Sequence, residues 1–127
     1  MIYGIGVDIV DINRFRAIIE RHGDKFAKRV LTKTEYSTYL QHHNQPTYLS
    51  KCWAVKEAFV KAMGTGFTGT FNKKDIGYGS TGDARPYVVL SNSAEIEVIK
   101  LNLKTNLSVS DESSNAVAFV IVERTNY

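Results

Sequence analysis

Residues Trp53–Gly66 read Trp-Ala-Val-Lys-Glu-Ala-Phe-Val-Lys-Ala-Met-Gly-Thr-Gly, and the pattern is helical. Val55, Ala58, Phe59 and Ala62 fall at i, i+3, i+4 and i+7 and make one apolar face. Trp53, Glu57 and Lys61 are spaced by four and line a second face. A glutamate one turn before a lysine is the favourable order for a helical ion pair, contributing ~0.3–0.5 kcal/mol. Gly64 is expected to stop the helix, and Thr65-Gly66 to turn the chain with its backbone N–H groups exposed. Taken alone, this is a surface helix with one ion pair. The rest of the chain adds a second carboxylate in an unusual place and two basic helical stretches.

With 127 residues and 43% hydrophobic content, the chain is expected to form one domain, residues 1–127, with its own core. A domain of this size buries only about two thirds of its chain surface, so association would help it. The single Cys52 cannot form an internal disulfide and fits a reducing cytosol, where its plainest role is packing. No window has the length and apolarity of a membrane span, and Met1 leads straight into a strand pattern. Neither a signal peptide nor a transmembrane helix is therefore expected. The net charge of +3 is unevenly spread. Arg14, Arg16, Arg21, Lys25, Lys28, Arg29 and Lys33 face only Glu20 and Asp24 in their stretch. That concentration points to an acidic partner: nucleic acid, an acidic protein or a phosphorylated small molecule.

At the start, Tyr3, Ile5, Val7 and Ile9 alternate with Gly4, Gly6, Asp8 and Val10, as in a strand. The glycines leave their face open to close approach by another backbone or a ligand. An aspartate on an otherwise apolar strand needs a cation or backbone donors as a partner. Asp11 is an N-cap for a helix over 12–22, with Ile12, Phe15, Ile18 and Ile19 inward and Gly23 as the stop. A short basic turn follows over 24–31, anchored by Phe26 and Val30. Thr32 and Glu35 form a capping box, flanked by Leu31 and Tyr36, for a helix over 33–41. His42 and His43 are loop histidines without a third metal ligand at useful spacing. Pro46 suits the first turn of the long helix running to Met63.

Beyond Gly66, residues 67–74 have no clear period. Two strands, 75–79 and 86–90, flank a turn containing Gly82-Asp83. Asn92 and Glu95 resemble a capped helix start for residues 93–103, with Ile96, Ile99 and Leu103 inward. Strands are expected at 107–110 and 116–123; the last is apolar on both faces and so central. The class is α+β.

Asp8 and Glu57 stand out as acidic residues in apolar or small-residue settings on regular elements. If strand and helix are neighbours, the two carboxylates converge. Without His or Cys nearby they suit a hard cation, with Mg²⁺ the natural choice because it also takes oxygens from a substrate's phosphates. Lys61, one turn on, would face the same phosphates. The reaction class that fits is phosphoryl or phosphodiester transfer.

With those residues assembled, the sequence resembles the holo-(acyl-carrier-protein) synthases, the short bacterial group of 4′-phosphopantetheinyl transferases. The matching segments are Gly4-Ile-Gly-Val-Asp8-Ile-Val, Phe26…Arg29…Leu31-Thr32…Glu35, and Trp53-Ala-Val-Lys-Glu57-Ala-Phe-Val-Lys61-Ala…Gly64-Thr-Gly66. Leu107-Ser-Val-Ser-Asp111 and Ala116–Glu123 complete an ordered set that spans nearly the whole chain. The resemblance implies a 4′-phosphopantetheinyl transferase-like α+β fold: an N-terminal strand and helices, then antiparallel hairpins, in a homotrimer with each site between two subunits. It implies transfer of the phosphopantetheine arm of coenzyme A to a serine of apo-acyl-carrier protein, in cytoplasmic fatty acid biosynthesis. Mg²⁺ would sit on Asp8 and Glu57, Glu57 would accept the serine proton, and Lys61 would stabilise the leaving phosphate. Coenzyme A is expected along Lys61, Gly64, Thr65, Gly66 and Pro86. The acidic carrier protein would meet Arg14, Arg21, Lys25 and Lys28. Many members carry His where this chain has Asp111, so no histidine base is available there and Asp111 receives no role.

A nucleic-acid-binding module using the same basic stretch lacks an RNP-like aromatic strand, a zinc framework and a helix-turn-helix signal, and leaves Asp8 and Glu57 unexplained. A non-catalytic binder of the same fold is disfavoured by the intact Asp8, Glu57 and Lys61 set. The broad-specificity transferases carry two such units in a longer chain. No nucleic-acid or membrane partner is expected.

Overall fold

A computed structural model describes residues 1–125. The chain runs β1 (Ile2–Asp11), α1 (Ile12–His22), α2 (Lys25–Val30), α3 (Lys33–Gln41) and α4 (Gln45–Met63). A 3₁₀ turn at Lys73–Asp75 leads into β2 (Ile76–Ser80), β3 (Pro86–Leu90), α5 (Asn92–Lys100), β4 (Leu103–Asp111) and β5 (Asn115–Arg124). The strands form an antiparallel sheet in the order β1-β5-β4 and a separate β2-β3 hairpin. The last strand is central in its sheet, as its two apolar faces require.

The core lies between α4 and the inner face of the sheet. A Cβ at Gly4 would sit 1.8 Å from the Ala62 carbonyl oxygen, and one at Gly6 2.0 Å from that of Ala58. What the glycine face of β1 leaves room for is therefore the backbone of α4. Ala54, Ala58 and Ala62 are buried, together with Ala116, Ala118, Val120 and Val122 of β5. The alternate face of β1 points outward, so Ile5, Val7 and Ile9 are 60%, 54% and 68% exposed. Phe119, opposite Val7 in the β5 register, is exposed as well.

Local chemistry sets most of the boundaries. The Asp11 carboxylate accepts from the Asn13 amide at 2.9 Å, and Gly23 ends α1 at φ 62°. Thr32 and Glu35 form the reciprocal capping box of α3. Asn44 caps α4, with Pro46 in its first turn and Gly64 left-handed at φ 76°. The His42 and His43 rings stack at 4.8 Å in the loop before α4.

Three expectations for α5 fail. α5 does not bury Ile96 and Ile99, which are 67% and 68% exposed; it buries Ala94 and Val98. Asn92 is not its cap: it takes φ 51°, and its side-chain amide donates to Asp75 at 2.8 Å, so the helix phase is set from Ser91. Leu103, expected to end that helix, opens β4, because β5 offers paired backbone as far as Arg124.

Gly6→Val forces a side chain into the Ala58 carbonyl. A loss of about 1–3 kcal/mol is expected from overpacking, read as a lower urea midpoint; an unchanged midpoint would mean that α4 does not lie on β1.

Candidate active site

Asp8 follows Gly6 on the inward face of β1, and α4 runs past it with Glu57 and Lys61 on successive turns. Lys61 Nζ lies 3.0 Å from Asp8 Oδ1 and donates to the Val7 carbonyl at 3.1 Å. The Glu57–Lys61 pair that the spacing predicted is thus replaced by a bridge from helix to strand, where the lysine finds two acceptors. The Lys61 side chain is 52% exposed and can follow a ligand, whereas that of Asp8 is 15% exposed. Glu57 is half-buried. Burial, and next the negative charge of Asp8, push its carboxyl above the ordinary glutamate range; Lys61, Lys73 and Arg14 pull the other way. The charge of Asp8 thus bears on Glu57 across the contact between β1 and α4.

Two carboxylates alone make a hard-oxygen donor set, suited to a cation that keeps waters or takes substrate oxygens. Among the described residues no group of three or more His, Cys, Asp and Glu side chains comes together. Asp111 pairs with Lys51 at 3.0 Å.

Trp53, on the same face as Glu57 and Lys61, starts a run of aromatic contacts. Its ring lies 5.6 Å from Phe26 and 5.8 Å from Phe67, and Phe26 lies 6.0 Å from Phe15. Arg14, Arg21, Lys25 and Lys28 are all exposed on α1 and α2. Ile18, His22, Lys25, Phe26 and Arg29 line a groove of about 320 Å³ there. Arg29 also borders a hollow of about 340 Å³ with Phe67, Thr68, Asn72, Lys73 and Lys74. Lys73 caps the Phe67 ring at 4.9 Å. Sequence reasoning missed Lys73 and its charge near Glu57, because it sits in an aperiodic stretch where spacing carries no signal.

The turn after α4 corrects another expectation. The amides of Gly64, Thr65 and Gly66 are not free: all three point back to the Val60 carbonyl, at 3.0, 3.2 and 3.4 Å. The helix end satisfies its own orphan carbonyl. The turn is nevertheless open, since a Cβ at Gly64 or Gly66 would meet nothing within 4 Å. Pro86 begins β3 opposite Ser80, at the end of the hairpin away from Ile76.

Glu35 does more than cap α3. It is buried and pairs at 2.7 Å with Lys56, which is itself fully buried beside Glu57 in the sequence. No pattern on either helix announces a partner 21 residues away.

A carboxylate pair with an exposed lysine, bordered by a basic surface, has the chemistry to meet an anionic, phosphate-bearing ligand. Residues 4–120 match the sequence profile described as the 4′-phosphopantetheinyl transferase superfamily. The holo-(acyl-carrier-protein) synthase of Shewanella sp. (strain MR-4) is 42% identical over 123 residues, covering 96% of this chain and 97% of the relative. That of Hamiltonella defensa is 42% identical, covering 96% and 98%. The crystal structure of the Neisseria meningitidis synthase superposes with a TM-score of 0.92 at 36% identity, covering 98% of this chain and all of that one. A Bacillus anthracis synthase, solved in complex with CoA (3′,5′-ADP), gives 0.82 at 29% identity, covering 98% and 99%. The chain belongs to the 4′-phosphopantetheinyl transferase superfamily.

The raised Glu57 value has a definite sign. The folded state holds that proton more tightly than the unfolded chain, so the stabilising contribution is complete below the unfolded value, about 4.3. It is lost as pH rises through the folded value. Glu57→Gln is therefore expected to raise the unfolding temperature at pH 7.5 and to leave it unchanged near pH 4. A variant less stable than the parent at pH 7.5 would contradict the burial and Asp8 repulsion described above.

Proposed function

We propose that this chain transfers the 4′-phosphopantetheine group of coenzyme A to a serine of apo-acyl-carrier protein, giving holo-acyl-carrier protein and adenosine 3′,5′-bisphosphate. The observation that carries the reading is the convergence of Asp8, Glu57 and Lys61 beside an exposed basic surface. The names of the relatives supply the carrier protein, and the complex of the Bacillus anthracis synthase with CoA (3′,5′-ADP) supports the donor.

In the reaction the serine oxygen bonds to the phosphorus of the pantetheine phosphate, and the pyrophosphate P–O bond breaks. The electron pair leaves on the adenosine bisphosphate. Glu57, held above the usual carboxylate range, takes the serine proton. Lys61 turns from Asp8 towards the leaving phosphate, a movement its exposure permits. Asp8 and Glu57 would hold Mg²⁺, and their all-carboxylate chemistry fits it. Bound there, the ion supplies charge neutralisation on the diphosphate and polarises its phosphorus. Coenzyme A runs along Lys61 and the open turn of Gly64, Thr65 and Gly66, with Pro86 lining its far end. Arg14, Arg21, Lys25 and Lys28 meet the acidic carrier protein, a contact that weakens with salt.

The unit is one domain, residues 1–127, in a cytoplasmic homotrimer serving fatty acid biosynthesis. The outward apolar face of β1 and Phe119 supports association, because an apolar edge strand left open invites uncontrolled pairing. Trimer formation brings a neighbour's surface to each site.

The deciding experiment is the intact mass of an apo-acyl-carrier protein incubated with this protein, coenzyme A and Mg²⁺. A gain of one phosphopantetheine group, abolished by chelator, is expected; no gain with a folded carrier overturns the reading. For assembly, sedimentation should give a trimer for the parent and a monomer for Phe119→Asp. A monomeric parent sinks that part.

A further inference from the structure

We infer that the buried Glu35–Lys56 ion pair is a positioning device that fixes the turn of α4 carrying Glu57 and Lys61 against β1. Lys56 Nζ lies 2.7 Å from Glu35 Oε1 and also donates to the Ile76 carbonyl. Glu35 Oε1 accepts from the Thr32 amide at 3.1 Å, and Oε2 accepts from the Tyr78 amide at 3.2 Å. The pair therefore joins α3, α4 and β2 in one network. Both side chains lie out of solvent, at 2% and 0% exposure, and among the described residues no buried side-chain polar atom lacks a partner.

Such a pair is a poor device for stability. Desolvation of two charges consumes most of their attraction, and apolar side chains of similar volume often stabilise as well or better. Its best-attested use is to select one register among several. The α4–β1 contact needs that selection. At Gly4 and Gly6 the strand lies flat against the helix backbone at Ala58 and Ala62. A smooth contact fixes how close the helix comes, but not its rotation or its position along its axis. Successive residues lie about 100° apart around a helix, so a clamp on Lys56 sets the direction of Glu57. A rotation of about 20° moves a side-chain tip roughly 2 Å at the outer radius of a helix. Displacements of that order cost about a hundredfold in rate when reacting groups must align. Through Ile76 and Tyr78 the same network ties the site to the hairpin that begins β3 with Pro86. Glu35 and Lys56 touch no substrate in this scheme; they act through Glu57 and Lys61.

The inference rests on the transferase reading, and the test separates the two. Lys56→Met and Glu35→Gln each strand a buried group, and both should lower the unfolding temperature. The double variant Glu35→Gln/Lys56→Met removes both charges and should recover most of that loss. Its kcat should nevertheless stay about tenfold or more below the parent. Its KM for the carrier protein, set on α1 and α2, should remain within about twofold. Recovery of kcat together with unfolding temperature overturns the inference, because the pair would then be only structural. If the double variant does not fold, Glu35→Asp keeps both charges and shortens the arm; a folded protein with parental kcat overturns the inference equally. Fluorescence of Trp53, the single tryptophan, needs no turnover; it lies one turn before Glu57 on α4, against Phe26 and Phe67. Its emission should shift in the double variant as the helix turns. A parent without transfer activity but with this shift rejects the transferase reading and keeps the positioning role. An unchanged emission rejects the positioning role.

Discussion

Close backbone contact between β1 and α4 governs the rest of the molecule. It exists only because Gly4 and Gly6 have no Cβ to meet the Ala58 and Ala62 carbonyls. With the helix seated there, the inner side of β1 is occupied and its richer apolar face must turn outward. The same seating decides what happens at Asp8, the next residue on the inner face. It lies too close to the helix to be fully solvated, yet at the margin, where Lys61 reaches it. One steric fact thus produces a buried core, an exposed apolar strand and a carboxylate facing a helix.

The electrostatics of the site follow from that placement. Asp8 and Glu57 repel each other across the β1–α4 contact, and burial aggravates the cost for Glu57. Lys61 offsets part of it by bridging to Asp8, and Lys73 and Arg14 act at longer range. The cluster retains an incompletely neutralised carboxylate next to a surface rich in cations. That is a useful state for a group that must accept a proton near neutral pH, and a costly one for a residue with a purely structural role. The aromatic run from the buried Phe15 through the half-buried Phe26, Trp53 and Phe67 connects this centre to the basic helices α1 and α2.

Short-range rules made much of this legible in the sequence. Asp11, the Thr32–Glu35 box, Pro46 and Gly64 mark helix ends through hydrogen bonds spanning a few residues, and each occurs as expected. The i, i+4 spacing put Glu57 and Lys61 on one face, and the two glycines beside Asp8 marked where another backbone comes close. Periodicity sorts residues into faces but does not say which face is inside. That is why the outward turn of Ile5, Val7 and Ile9 required the structure, and why α5 buries Ala94 and Val98 in place of Ile96 and Ile99. Partners distant in the chain are invisible for the same reason. Nothing near Lys56 in the sequence reveals Glu35, and Lys73 lies in a stretch whose shape only tertiary packing sets.

The two kinds of contact around α4 solve complementary problems of a small domain. A glycine–alanine contact brings backbones close at little cost in side-chain entropy, but it is slippery. A buried ion pair contributes little net stability, but it is directional and tolerates few alternatives. Combined, they add a close backbone approach and a directional tie to a helix that also buries Leu49, Val55, Phe59 and Val60. The fixed rotation matters because Glu57 and Lys61 face Asp8 from only one side of that helix. Apolar surface remains on the outer face of β1 and β5, at Ile5, Val7, Ile9 and Phe119.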